Sequence, residues 1–337
     1  ALSLDTRLYT YNGYTTIEKC AVGQLIYGPD GNLHPITAKS EIFNKPMYEI
    51  VLEDGRSLDV SEDHINSVMI NTSPNGITTW EDLDLTTKEL LEIGTSVTKK
   101  GNNSHKGHYT KSIMRVRNPA PLNYPHNGNL CIDPYTLGII LGDGSIKKNA
   151  SGIVITGLYK DCEVYREVIP YDLGDNYLDK RTDSVMTFAI KGINSLIRYL
   201  KLDVRGDAKF IPEDYFFGSI EQRLALLKGL LDTDGHISKT GRIDFCSSSR
   251  QLSEDVMRLV RSLGGKAKLN IKKVNNKEFY RPEIWIGINP FNLERKVNRF
   301  ISDRRHWDNC RVESINSIET VPSQCISIDS EDNQFIA

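Results

Sequence analysis

Residues 133–145, DPYTLGIILGDGS, return in altered form as residues 224–238, LALLKGLLDTDGHIS, and aligning the two sets Gly138 on Gly229, Asp143 on Asp234 and Gly144 on Gly235. An internal repeat restricts the fold to one built from two similar halves. Each copy reads as a helix, because Leu137, Ile140 and Leu141, and then Leu227, Leu230 and Leu231, recur at the i, i+3, i+4 spacing. Gly144 and Gly235 are expected to stop the helices as left-handed caps. Gly138 with Gly142, and Gly229 with Thr233, lie four apart on one face, which lets two helix backbones approach closely.

The repeat carries chemistry as well as packing. A carboxylate in a last helical turn faces the negative end of the helix dipole, at a cost of about 0.3–1 kcal/mol. If the helices pack side by side, Asp143 and Asp234 meet at the same end and repel. A divalent cation relieves both penalties. Mg²⁺, which takes oxygen ligands from a few carboxylates plus substrate phosphate, is the expected cofactor, with Asp143 and Asp234 as its ligands and as catalytic candidates for activating water against a phosphodiester. Two ordinary core helices, each with a chance aspartate before its glycine, would explain one copy better than two.

The 337 residues allow about two domains, and 39% hydrophobic with 26% charged residues is the composition of a globular protein. No apolar run nears the roughly 20 residues that span a membrane, and no leader pattern opens the chain, so the expectation is an intracellular, cytoplasmic protein. Six scattered cysteines without a CxxC pair indicate neither zinc nor a disulfide framework. The net charge of −2 is unevenly spread: residues 133–303 hold 27 Lys and Arg against 23 Asp and Glu, leaving −6 elsewhere. Within 258–281, Arg258, Arg261, Lys266, Lys268, Lys272, Lys273, Lys277 and Arg281 face Glu278 alone, a candidate phosphate-binding stripe for double-stranded DNA. Arg242, Ser247, Lys268, Lys272 and Trp285 fall on expected strands where they could read base edges or phosphates.

The first 70 residues read as short strands broken by Asn12-Gly13, Asp30-Gly31 and Asp54-Gly55, the marks of an all-β unit. Residues 78–94 read as a strand and then a helix, 99–108 as a polar surface loop, and 118–129, with three prolines, as a linker.

Two resemblances attach to these residues. LGIILGDG and KGLLDTDG resemble the paired motifs of LAGLIDADG homing endonucleases. That resemblance implies a duplicated αββαββα domain, α+β in class and pseudo-two-fold about its motif helices, acting as a monomer on double-stranded DNA with its catalytic acids at Asp143 and Asp234. KFIP at 209–212 resembles the block in which such enzymes keep a lysine, making Lys209 a catalytic candidate. The opening ALSLDT, the stretch GRSLDVSEDH and the closing QCISIDSEDNQFIA are similar to blocks of the all-β Hint splicing domain of inteins. By that resemblance Ser61 and His64 fall on the Thr-x-x-His block that assists the first acyl shift. Cys325 falls near a position filled by Asp or Cys. Ala1 stands where a Cys or Ser nucleophile belongs, and no terminal His-Asn pair is present, so splicing of flanking exteins is not expected of this chain as written.

Together these imply a multidomain chain: residues 1–118 and 304–337 as the two parts of a Hint domain, and 119–303 as an inserted endonuclease that makes metal-dependent double-strand breaks at a long site. Two alternatives stay open, a DNA-binding module of the same fold without cleavage, and a splicing element with an inert nuclease.

Overall fold

The computed structural model describes residues 1–73, 79–100, 108–125, 128–145, 152–174, 177–178, 184–302 and 307–337. The boundary expected at 303/304 and most of the polar segment 99–108 lie outside these residues. The chain divides into two compact units, Ala1–Leu122 with Asp308–Ala337, and Asn123–Trp307.

The first unit is β-rich and is stitched from both chain ends. Its nine-stranded sheet runs Trp80–Thr86, Ile65–Asn71, Met114–Arg117, Asn309–Ile318, Met47–Leu52, Ser57–Ser61, Leu2–Ser3, Pro322–Gln324 and Phe43–Asn44. The strand Asn309–Ile318 therefore pairs on one side with Met114–Arg117 and on the other with Met47–Leu52. Leu2 lies between Val60 and Gln324. The turn at 54–55 works because Gly55 adopts φ +84°, a left-handed conformation that costs glycine nothing. Leu2, Leu8, Ile17, Ile26, Ile36, Val60 and Met114 form part of the buried core. Helix α1, Thr87–Ile93, starts at a capping box of Thr86 and Glu89.

The second unit carries the αββαββα order twice. In the first copy, α2 (Pro134–Asp143) leads to the strands Gly144–Ser145 and Gly152–Leu158. Helix α3 (Cys162–Val168), the strands Tyr177–Leu178 and Val185–Lys191, and α4 (Asn194–Tyr199) follow. In the second copy, α5 (Ile220–Thr233) leads to Gly235–Ile237 and Ile243–Phe245. Then come α6 (Arg250–Ser262), the strands Lys266–Val274 and Lys277–Trp285, and the single-turn α7 (Glu294–Val297). Each copy makes its own four-stranded antiparallel sheet.

Helices α2 and α5 meet through their small residues. A Cβ on Gly138 would lie 2.4 Å from the Leu226 carbonyl oxygen, and one on Gly229 would lie 2.2 Å from that of Tyr135. A Cβ on Gly142 would sit 1.9 Å from Thr233 Oγ1. Every residue of α2 from Tyr135 to Leu141 is buried, as expected of a helix that is apolar all round.

The glycines after the helices work differently from the expectation. Gly144 has φ −69°, an extended conformation open to any residue, and Gly235 also lies outside the left-handed region. Both are instead required by space, since a Cβ at either would lie 2.3 Å from the carbonyl oxygen four residues earlier, Ile140 or Leu231. The chain turns directly from helix into strand at these points, and only a missing side chain permits it. No helix among the described residues is long and apolar enough to cross a membrane.

Candidate nuclease and splicing sites

Packing of α2 on α5 fixes the first site. Asp143 is the last residue of α2, and Asp234 is the residue that follows α5. Burial pushes the Asp143 carboxyl above the usual carboxylate range. Asp234 is pushed up to about 6, by burial first and then by the charge of Asp143, against the pull of Lys209 and Lys296.

Lysine ammonium groups cap both helix ends. Lys209 Nζ donates to the carbonyls of Leu141 and Gly142 at 2.8 Å, with Gly144 at 3.2 Å and Ile140 at 3.3 Å. Lys296 Nζ does the same for α5, donating to Leu231 at 2.6 Å, Gly235 at 2.7 Å and Asp232 at 2.8 Å. Burial lowers both, Lys296 to about 8 with neighbouring Arg295 adding to the fall. Each positive charge sits at the negative end of a helix and offsets the dipole there. The aspartates are therefore better compensated than two bare carboxylates would be. Lys296 carries no motif of its own, because no KFIP-like block surrounds it; the signal that would have found it is the duplication, since it follows Asp234 at a separation similar to that of Lys209 from Asp143.

Among the described residues no group of three or more His, Cys, Asp or Glu side chains forms a metal cluster. An accessible carboxylate, Asp143, and a half-buried one, Asp234, beside the carbonyls of two helix ends still fit a hard cation that draws its remaining ligands from water and phosphate.

The basic stripe is divided by strand alternation. Lys268 pairs with Glu283, which also pairs with Asp244, so residues of even number on Lys266–Val274 share a face with those of odd number on Lys277–Trp285. This face holds Lys268, Lys272, Lys277, Arg281 and Trp285. Arg242 joins them through an ion pair to Glu283 at 3.0 Å, and Arg281 is paired with Asp244. Four of the expected DNA-facing residues do not belong there as exposed groups. Lys273 projects from the opposite face and pairs with Glu278 at 3.1 Å. Lys266 is only 3% exposed, over the Trp285 ring. Ser247 is 8% exposed and bridges Tyr280 through its backbone. Arg258 is on α6, held by Glu213 and stacked on Phe216. The matching face of the first copy carries Val154, Thr156, Thr187 and Ala189, with Lys191 at its end, ion-paired with Asp172 at 3.5 Å.

In the first unit the Ala1 amino group donates to Ser61 Oγ at 2.7 Å, and Ser61 Oγ donates to Asp63 at 2.5 Å. Lys45 ion-pairs with Asp63 and, with Ser61, holds that carboxyl down at about 2. Burial keeps the His64 imidazole neutral, with a pKa lowered to about 4. Cys325 is exposed and within electrostatic reach of Lys45, so the strand join at 324–326 brings it to the same cluster. Lys45 and Asp63 carry no signal in the sequence that sets them apart; Asp63 lies inside the SEDH stretch, and only the fold shows its link to Ser61.

A β fold assembled from both chain ends, interrupted by a duplicated αββαββα unit with an acid at each motif-helix end, is the architecture that the two resemblances imply, a Hint-type splicing fold with an inserted LAGLIDADG-like domain. Residues 221–301 match the LAGLIDADG-like domain family. The chain is 26% identical over 368 aligned positions to the replicative DNA helicase DnaB of Mycobacterium intracellulare, covering all of this chain and 57% of that protein. It thus spans little more than half the length of that curated relative. Among solved structures, the zinc-bound splicing domain of the Msm DnaB1 intein is 33% identical over 20% of this chain and 55% of that one, with a TM-score of 0.20. The homing endonuclease I-DmoI, in complex with DNA and Ca, is 16% identical over 50% of this chain and 95% of its own, with a TM-score of 0.35.

Proposed function

We propose that residues 123–307 act as a site-specific endonuclease that cuts both strands of a long double-stranded DNA target with Mg²⁺. The observation that carries this reading is the pair of aspartates at adjoining helix ends, each attended by a lysine bonded to the helix-end carbonyls. Asp143 and Asp234 would hold the cation, which would supply a polarised water and charge neutralisation at the phosphate. Lys209 and Lys296 spend their protons on helix-end carbonyls, so each serves as a fixed positive charge for the developing phosphate charge and not as a mobile acid. The face bearing Arg242, Lys268, Lys272, Lys277, Arg281 and Trp285 is proposed to take the DNA. The first unit is proposed as a splicing fold whose cluster of Ser61, Asp63, His64 and Cys325 gathers at Ala1, whose methyl side chain cannot attack a carbonyl.

The likeness to a DnaB-type helicase makes an uninterrupted helicase gene of that type the natural target. Incubating the full chain and Mg²⁺ with a duplex spanning the uninterrupted junction should give one double-strand cut. Binding without any cut in Mg²⁺ or Mn²⁺ would favour the DNA-binding reading instead.

A further inference from the structure

Neither helix-end lysine is fixed by its own local structure. Lys209 lies in an irregular stretch, 209–212, and Lys296 in the single-turn α7. Groups from the other copy of the repeat help to fix each one. For Lys209 they are on α6 and its N-cap: Ser249 Oγ, at the cap, donates to the Lys209 carbonyl at 2.6 Å, and Asp255 accepts the Ile211 N–H at 2.8 Å. Arg258, also on α6, grips Glu213 just beyond with two hydrogen bonds. For Lys296 they are in the first copy: Asp161, at the start of α3, takes three hydrogen bonds from Arg295 at 2.8–3.1 Å. Tyr135 of α2 adds to this by donating to Asp232 at 2.9 Å, and Asp232 in turn accepts the N–H groups of Asn292 and Leu293 at 3.0–3.3 Å. Asp161 and Asp232 are 5% and 1% exposed, so these bonds are made away from water, where they are hard to replace.

We propose that the two centres are cross-braced: Asp161, through Arg295, is a positioning residue for Lys296 beside Asp234, and Asp255, with Ser249, is a positioning residue for Lys209 beside Asp143. The proposal rests on the endonuclease reading for its catalytic readout. A loosened brace lets the lysine segment drift, and the ammonium leaves the helix end that it neutralises. Displacements of about 1 Å are enough to lower a rate severely. Each centre thus depends on a residue of the opposite copy, and one copy cannot loosen without disturbing the other's lysine.

The test uses the full chain and a duplex whose two strands are labelled separately. Lys209→Met and Lys296→Met first show which strand each lysine serves. Asp161→Asn should then slow, by about tenfold or more, the strand slowed by Lys296→Met, and Asp255→Asn the strand slowed by Lys209→Met, the other strand staying within about twofold. Arg295→Gln and Ser249→Ala provide milder variants where an aspartate change unfolds the chain. Equal slowing of both strands, or an uncrossed pattern, overturns the proposal. Amide hydrogen exchange gives a readout free of activity: Asp161→Asn should speed exchange in 292–297 and not in 209–212, and Asp255→Asn the reverse. If the wild-type protein cuts neither strand, the endonuclease reading fails while the exchange pattern still decides the brace, and identical exchange in the two variants sinks it.

Discussion

At the scale of single residues, the aspartates and lysines at the ends of α2 and α5 form a mutually dependent charge set. Asp234 has a folded pKa of about 6, above the ordinary carboxylate value, so the native state binds more protons than the unfolded chain across the window between them. Stability therefore falls as pH rises through that window, and the penalty is fully present above it. Asp234→Asn removes the penalty. Without metal it should unfold level with wild type near pH 4 and about 1 kcal/mol, or about 2–4 °C, higher near pH 8. Asp143→Asn should behave in the same direction, and each substitution should abolish double-strand cutting. A clear drop in thermal stability for either variant at pH 8 would show a structural role, and wild-type cutting of both strands would remove that aspartate from the proposed chemistry. Mg²⁺ should raise the wild-type melting temperature more at pH 8 than at pH 5, because protons compete for the same carboxylates.

At the scale of elements, the hairpin Lys266–Val274 and Lys277–Trp285 decides which charges can meet DNA. Changing Lys268 and Lys272 to Ala should lower the salt slope for the target duplex by about 0.9 for each phosphate that is no longer neutralised. Lys273→Ala, on the opposite face beside Glu278, should leave the slope unchanged. Equal effects from all three would place the DNA elsewhere. The run of basic residues was plain in the sequence, but its division was not, because counting charges over 258–281 mixes a helix with two strands and ignores alternation. The paired helices were legible for the opposite reason, since Gly138, Gly142, Gly229 and Thr233 declare a close approach by size alone. The helix stops were located correctly and explained wrongly: the positions of Gly144 and Gly235 follow from composition, but the overlap with Ile140 and Leu231 that demands glycine exists only once the chain turns into a strand.

At the scale of the whole molecule, the chain leaves one unit and returns to it. Within the first unit the Asn118 N–H donates to the Asp308 carbonyl at 2.8 Å, so the points where the chain departs and re-enters lie side by side. The strand Asn309–Ile318 then fills the gap between Met114–Arg117 and Met47–Leu52, and no sheet of this order can close without the residues from 308 to 337. The β signals in the first 70 residues and the shift to positive charge over 133–303 made two kinds of segment readable, and the return of the chain end came only from the resemblance of its last residues, whereas the order of the strands depends on long-range pairing that local pattern does not encode. A unit with its own core and adjacent ends should fold without what is inserted in it. Replacing residues 123–307 with a short Gly-Ser linker should leave a chain with strand-rich circular dichroism and a single cooperative transition, and the full protein should show that transition plus a second one that shifts with Mg²⁺. If the shortened chain is unfolded, or its Asn309–Ile318 amides exchange freely, the first unit depends on the insertion and the two-unit description of the fold is wrong.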